Sequence, residues 1–495
     1  MNEKNIWHKI RIALMSITVM VFMIIGFLIF IRPTESELEK RKLAVFPIPT
    51  TRTVLDGSFF KDIVTWYADT YPLREKMIAF QSDAEEMYGI RDTVIYGDTG
   101  QTADAIPSGN EETAPIISNI DEDTSDNTVD ESTSDEDNST RQEQNIDNAS
   151  TSAVKEIAEN ATVSGSADTV TKSNENINVQ NKKENSKDKH LKDGTLKVQP
   201  EVAGTVYIAE NRGFTLYYFY KKGADLYASM LNTVAKKVEN IASLYDIVVP
   251  NSFGVNLDED IQKSMNTSNQ GEAIDYIYKR LNPSIKTVET YKQLRNRNSE
   301  YLYFKTDHHW TALGAYYVYR SFCEVKGITP HELKDYKKKE FPDFLGSFYA
   351  YSNQSKALAK NPDTVEAYIP IATNKETITP REGKPYTYDI ISDANKFSAA
   401  NKYLAFIGGD QPLIEIKNPR LSDDSSCIII KESYGNAFVP FLVDHYQHVY
   451  VVDYRYYTGN VVNLAKKHSN TDIVFLNNTA ATSVEKSKLM LGIFK

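Results

Sequence analysis

Cysteine is nearly absent from this sequence: among 495 residues only Cys323 and Cys427 occur. Two cysteines, each inside an apolar run, exclude a disulfide framework and read as small packed hydrophobes. A surplus of positive charge is also missing. The net charge is −11, and Gly97 to Asn160 alone holds 17 Asp or Glu against Arg141 and Lys155. The remainder is therefore close to neutral or slightly basic, which argues against nucleic-acid binding as the main activity. Aromatic residues make up 11% of the chain, yet none lies between Tyr96 and Tyr207. A stretch so poor in apolar area cannot offset its ordering entropy, so residues 97–202 are expected to be a disordered, acidic and polar insertion. Its lysine-rich end, NKKENSKDKHLKDGTLK, predicts only weak attraction to its acidic beginning.

Charge is lacking again from Ile12 to Ile31, a run of twenty residues preceded by Lys4, Lys9 and Arg11. At 1.5 Å per residue such a run spans about 30 Å, the thickness of a bilayer core. It is longer than the usual signal-peptide core and closes on FLIFIRPTESE, with no small-x-small cleavage site. The expectation is a retained transmembrane anchor at 12–31, a cytoplasmic tail at 1–11 and everything beyond it outside, by the positive-inside rule. That makes a single-pass protein of the cell membrane with an extracytoplasmic C-terminal domain.

Residues 33–96 carry aromatic and aliphatic residues at helical intervals in DGSFFKDIVTWYADTYPLREKMIAF and predict a chiefly helical part of that domain. VIYGDTG before the polar insertion and VYIAENRG after it are alike in pattern, as if one hairpin had been enlarged. From residue 203 onward helical and strand patterns alternate. Leu226 to Leu244 reads as a helix, Asp246 to Val249 as a buried strand, Glu272 to Leu281 as a helix and Ile285 to Thr287 as a short strand. Alternation of this kind indicates an α/β fold with a parallel sheet covered on both faces.

Chemistry concentrates in YLYFKTDHHWTALGAYYVYR, Tyr301 to Arg320. Tyr301 to Phe304 suits a short strand and Thr311 to Cys323 an amphipathic helix, so Asp307, His308, His309 and Trp310 sit at the join. A carboxylate beside an imidazole fixes the ring tautomer and stabilises the imidazolium, which makes a usable general base. The plain alternative is that Thr306 or Asp307 caps the helix and the histidines are bystanders. Two of only eight histidines in this one place favour the functional reading.

A second stretch, SSCIIIKESYGNAFVPFLVDHY, runs from Ser425 to Tyr446. CIII suits a strand buried in a parallel sheet and Gly435 to His445 a helix, which puts Ser433 at a strand-to-helix turn. There a hydroxyl projects above the sheet edge, and helix N-terminal amides face a developing oxyanion. The plain alternative is a serine that caps the helix. Ser252, in VVPNSFG, has no helix pattern behind it and reads as part of a turn. In FIGGDQP, Gly408 and Gly409 lie at a strand end, where backbone amides can approach an acyl oxygen.

TDHHWTALGAYYVY resembles the signature of the bacterial DHHW protein family, whose Asp-x-His-Trp element is similar to that of alginate O-acetyltransferases with an SGNH-hydrolase-like fold. KESYGNAFVPFL resembles the family's KDSYxNxxVPFL element, with Glu432 standing where Asp is usual. The resemblance implies Ser433 as nucleophile, His309 as base, Asp307 as its orienter and His308 at the variable position. It further implies that Asn477 or Asn478 supplies a side-chain amide to the oxyanion hole and that Arg455 faces the substrate. Asp69 and Arg74 match an Asp-x-x-x-x-Arg element in the N-terminal region of these families, with a structural role. DHH also resembles a signature of metal-dependent phosphoesterases, but no further set of aspartates accompanies it.

The expectation is thus a membrane-anchored, SGNH-like domain formed from residues 33–96 and 203–495, with a parallel sheet flanked by helices. It would transfer acetyl groups to hydroxyls of a cell-envelope or secreted polysaccharide through an acyl-serine, with no metal and no cofactor. Acetyl coenzyme A stays in the cytoplasm, so the resemblance implies a membrane-bound O-acyltransferase as the donor relay. An esterase with the same triad, or a non-catalytic protein that binds glycan or organises an assembly, are the alternatives.

Overall fold

The computed structural model describes residues 32, 35–36, 41–42, 45–50, 53, 58–71, 103–108, 112–117, 193–204 and 206–495. The apolar run 12–31, Arg74 and VIYGDTG lie outside these residues. Among the described residues no helix is long and apolar enough to cross a membrane. The chain divides into two units, 1–93 with 139–149 and 94–138 with 150–495. Residues 33–93 fall in the first unit and 203–495 in the second.

In the smaller unit Glu35–Ser36 pairs antiparallel with Arg41–Lys42, and a helix runs over Ser58–Asp69. The Arg32 guanidinium lies 4.2 Å above the Trp66 ring, and Phe46 meets the edge of that ring at 4.8 Å.

The larger unit begins with a three-stranded antiparallel sheet of β1 (Glu201–Ala203), β2 (Val206–Ala209) and β3 (Arg212–Phe214). VYIAENRG is thus a hairpin, and Glu210 at its tip takes a φ of 56°. Then follow α1 (Lys221–Lys237), β4 (Ala242–Val249), α2 (Gln270–Lys279), β5 (Lys286–Thr287) and α3 (Ala312–Lys326). The helix expected over Leu226–Leu244 stops at Lys237, because Ala242 onward joins the sheet beside Thr471. After α3 come β6 (Lys337–Phe344), β7 (Asp363–Ile369), β8 (Lys375–Thr379), β9 (Tyr386–Asp389) and β10 (Leu413–Lys417). The chain closes with β11 (Ser425–Lys431), α4 (Gly435–Leu442), β12 (His448–Asp453), β13 (Asn470–Asn478) and α5 (Val484–Gly492).

The main sheet has eight strands in the order β9-β8-β10-β12-β11-β13-β4-β5. From β12 to β5 all pairings are parallel, whereas β10, β8 and β9 are antiparallel additions at one edge. The expected purely parallel sheet is therefore a mixed one. The cause is local: Gly383, with φ near 100°, turns the chain between β8 and β9, and a hairpin can only pair antiparallel.

Every residue of β11 is buried, as its continuous β-branched run demands. Alternate residues feed two separate cores. Cys427, Ile429, Val474 and Leu476 pack with Trp310 and the apolar faces of α3 and α4. Ile428, Ile430, Ile473 and Phe475 pack with Tyr227, Ile274 and Met490 from the helices on the other side. Burial of each such side chain contributes roughly 1.5–3 kcal/mol before entropy is set against it. All eight residues of α4 are buried, and Pro440, which has no N–H to donate, sits one turn before the helix tightens at Val443–His445.

Three parts of the segment 97–202 are packed. Ala114 is 3% exposed and its N–H donates to the Arg280 carbonyl at 2.8 Å, while Asp104 and Ile117 bond to Phe219 and Thr233. Residues 193–204 bond to Asn256, Asp258 and Asn298 and contribute β1. The expectation of a wholly disordered insertion fails there, because backbone pairing needs no aromatic side chain.

Candidate active site

The loop that carries Asp307 is fixed before its chemistry begins. Tyr301–Phe304 is not a strand of the sheet; only an isolated bridge joins Tyr303 to Trp310, and the Phe304 and Thr311 amides bond back across the loop. Asp363, at the start of β7, accepts from the Lys305 and Thr306 amides at 3.0 and 2.7 Å, from the Thr306 hydroxyl at 2.6 Å and from the Tyr301 hydroxyl. The helix α3 is capped by Thr311, whose Oγ1 accepts from the Gly314 amide. Neither Thr306 nor Asp307 serves as the cap, so Asp307 is free for another task.

That task is to hold His309. Asp307 Oδ1 lies 2.6 Å from His309 Nδ1 and also accepts the His309 backbone N–H at 3.0 Å. Oδ2 accepts the Ser347 N–H at 2.8 Å. Burial works against the Asp307 charge, yet the His309 and His308 rings and these bonds hold its carboxyl far below the usual carboxylate range. Gly346 lets the chain pass this close: a Cβ there would lie 2.3 Å from Asp307 Oδ2. With Nδ1 occupied, His309 Nε2 is buried and has no hydrogen-bond partner. An orphaned ring nitrogen is costly unless a reaction uses it.

Ser433 follows β11 and precedes α4, on the carboxyl-end side of the parallel strands where open α/β sheets place their sites. Tyr403 ties it to the histidine: its ring stacks on the His309 ring at 3.9 Å, and its hydroxyl donates to the Ser433 carbonyl at 3.0 Å. Trp310 Nε1 donates to the Tyr434 carbonyl at 2.8 Å, and the Tyr434 hydroxyl donates to the His308 carbonyl at 2.6 Å. Asp307, His309 and Ser433 are thereby brought into one buried site, each about 5% exposed or less. The Ser433 hydroxyl itself donates to Glu432 Oε2 at 3.2 Å. Glu432 also accepts from the Tyr434 and Asn478 amides, so its longer side chain brackets the turn to the end of β13.

His308 is turned to a different partner, with Nδ1 2.7 Å from the Ser347 hydroxyl. The ligand atoms of Asp307, His308 and His309 lie within 4.8 Å of one another, a spacing a metal ion accepts. Their hydrogen bonds argue for a proton relay instead, since His309 Nδ1 and both Asp307 oxygens are already committed.

The weaker candidates scatter. Asn477 alternates onto the opposite face of the sheet, where its amide faces Tyr227 and Met490. It is therefore absent from the Ser433 side. Asn478 is on the right side, but its Oδ1 caps the turn at Ala480. Gly408 and Gly409 end no strand; with φ of 59° and 80° they form a turn that delivers Asp410. Arg455 is gripped by Asp453 at 2.9 and 2.7 Å and reaches Asp410 at 3.2 Å. Ser252, expected in a turn, opens a short helix, Ser252–Asn256, capped by Asn251, and is buried. Sequence reasoning missed Gly346, Ser347, Asp363 and Tyr403, which lie 37 to 94 residues downstream of His309 with no local pattern to mark them.

The chain resembles a DHHW family protein of Eubacterium siraeum at 30% identity, covering 60% of this chain and 98% of that one with a TM-score of 0.54. It is also similar to PatB1 of Bacillus cereus, solved with a sulfonyl adduct, at 17% identity and a TM-score of 0.49 over 59% and 98% of the two chains. The O-acetyltransferase domain of Pseudomonas putida AlgJ matches at 9% identity and a TM-score of 0.30 over 58% and 96%. No curated protein matches the chain. The family model described as DHHW protein matches residues 39–452, and the chain belongs to that family.

Proposed function

We propose that this protein is a membrane-anchored serine O-acetyltransferase of the cell envelope. The observation that carries the chemistry is the Asp307–His309 pair with Nε2 buried and unpartnered, its ring stacked on Tyr403, which in turn bonds the Ser433 carbonyl. In the forward step His309 Nε2 takes the Ser433 hydroxyl proton while Oγ bonds to the acyl carbon. Collapse of the tetrahedral adduct breaks the bond to the leaving group, which receives the proton from Nε2. An acceptor hydroxyl then repeats the sequence in reverse and leaves with the acetyl group. Asp307, ionised throughout, stabilises the imidazolium in both halves.

The acceptor, a cell-envelope or secreted polysaccharide, and the donor, a membrane-bound O-acyltransferase relay, come from the family resemblance. So does the use of the 12–31 run as anchor at the cell membrane. The decisive measurement is partition of the acyl group: oligosaccharide acceptor added to enzyme and an activated acetyl ester should yield acetylated sugar at the expense of free acetate. Acetate alone, at an unchanged rate, would make the protein an esterase.

One observation favours a second reading. The Ser433 hydroxyl rests on Glu432 and not on His309, as expected of a fold kept for glycan binding alone. Under that reading Ser433→Ala binds oligosaccharide like the wild type, and neither is acylated.

A further inference from the structure

Beneath the nucleophile turn lies a buried charge cluster. Lys431, two residues before Ser433, is fully buried, and its ammonium is 2.6 Å from Asp410 Oδ1 and 3.3 Å from Asp453 Oδ2. Asn436, three residues after Ser433, donates its amide to the same Asp410 oxygen at 3.0 Å. Arg455 reaches the other oxygen at 3.2 Å. One carboxylate therefore grips both flanks of the turn and ties them to the end of β12.

Glycines at two points of the chain make this contact possible. Gly408 and Gly409 adopt positive φ to swing Asp410 inward, and a Cβ on Gly435 would lie 2.5 Å from the Lys431 side chain. Glycine at both points lets the two strands of chain close over the ammonium.

We infer that Asp410 is a positioning residue for Ser433, acting through Lys431 and Asn436. The inference rests on the reading of Ser433 as nucleophile. A structural ion pair alone would need only Lys431; the bond to Asn436 adds the first turn of α4, where the Asn436 N–H donates to the Ser433 carbonyl at 3.1 Å. Electrostatics point the same way. Burial would depress the Lys431 ammonium, and Asp410 first and Asp453 second raise it above its usual value. Burial pushes the Asp453 carboxyl upward and Lys431 pulls it down, while Arg455 grips it at 2.9 and 2.7 Å. Burial also raises the Tyr403 hydroxyl, and Asp307, Glu432 and Asp410 raise it further. Tyr403 stacks on His309 and its hydroxyl bonds the Ser433 carbonyl. His309 is faced by Asp307, His308, Tyr403 and Tyr434.

The experiment follows labelling of Ser433 by a serine-directed phosphonate, read by intact mass across pH, in the full chain. Wild type serves as the control for the nucleophile itself. Asp410→Asn should label at least tenfold more slowly, and the acid limb of its pH profile should move to lower pH by about half a unit or more, since uncompensated positive charge disfavours the imidazolium. Asn436→Ala, which leaves the charges balanced, should slow labelling several-fold with the limb unmoved. It also keeps the question answerable if Asp410→Asn does not fold. Asp453→Asn should lower thermal stability with labelling close to wild type. Wild-type labelling rates in folded Asp410→Asn, or in Asn436→Ala, would overturn the positioning role while leaving the nucleophile in place. A wild type that is never labelled at Ser433 would overturn both.

Discussion

Asp307 is held by the His309 ring and by the His309 and Ser347 amides. Gly346→Ala would place a methyl group 2.3 Å from Oδ2, so the carboxylate must swing away from His309. The variant should lose at least tenfold in acyl-ester turnover, and its circular dichroism should stay close to wild type; full activity would show that the close approach is incidental. Ser433→Ala, His309→Ala and Asp307→Ala should each remove most turnover without adding, since they act on one transition state. His308→Ala should be mild, because His308 bonds Ser347 and not Asp307 Oδ1. A steady-state comparison of the four decides which ring is the base. Chelators should leave turnover unchanged; loss of activity that Mn²⁺ restores would instead mean that Asp307, His308 and His309 hold an ion. The Asp307 carboxyl, depressed by its partners, contributes stability that is present above its unfolded value and lost as pH falls into the acid range.

Among elements, the parallel strands were the legible part and the antiparallel edge was not. CIII in β11 and DIVFL in β13 are short apolar runs, and the strand-to-helix turn at Ser433 could be read from them directly. β8 and β9 read as KETIT and YTYD, polar enough to pass for loop, and only the hairpin and the burial of Ile378 show them to be strands. The same polarity conceals Glu376 on β8, which is 2% exposed with both carboxyl oxygens unpartnered. Burial first, and then Asp389, push its carboxyl up to about 8, against the pull of Lys431. The unfolded chain gives up that proton near pH 4.5 while the folded one keeps it, so stability contributed by the neutral form is lost as pH rises from there through about 8. Glu376→Gln should therefore gain stability relative to wild type between pH 5 and pH 9, by roughly 2–5 kcal/mol. Thermal melts at the two pH values test it; a constant offset would mean that Glu376 is ionised in the folded state. Asp246 on β4, pushed up to about 7 by burial, adds to the same slope from the other face of the sheet.

At the level of the whole molecule, the sequence located both halves of the site 124 residues apart but not the parts that join them. Asp363, Tyr403 and Ser347 act through hydrogen bonds and a ring stack that only the fold creates. In the polar insertion the lack of aromatics says nothing of backbone pairing, and 103–108 and 112–117 bond to Phe219, Thr233 and Arg280 through their backbones. Deleting 125–185 should leave the thermal midpoint within about a degree, while deleting 103–185 should lower it by roughly 5 °C or more through the lost bonds and the exposed Ala114 site. Equal midpoints would show that these contacts carry no stability. The central claim, that Ser433 becomes acylated with His309 as its base, is tested most directly by mass spectrometry after incubation with an activated acetyl ester. The account predicts a single acetyl adduct on the peptide that contains Ser433, absent in Ser433→Ala and strongly reduced in His309→Ala. An unmodified Ser433 in an enzyme that still turns over the ester, or an adduct that forms equally without His309, would contradict it.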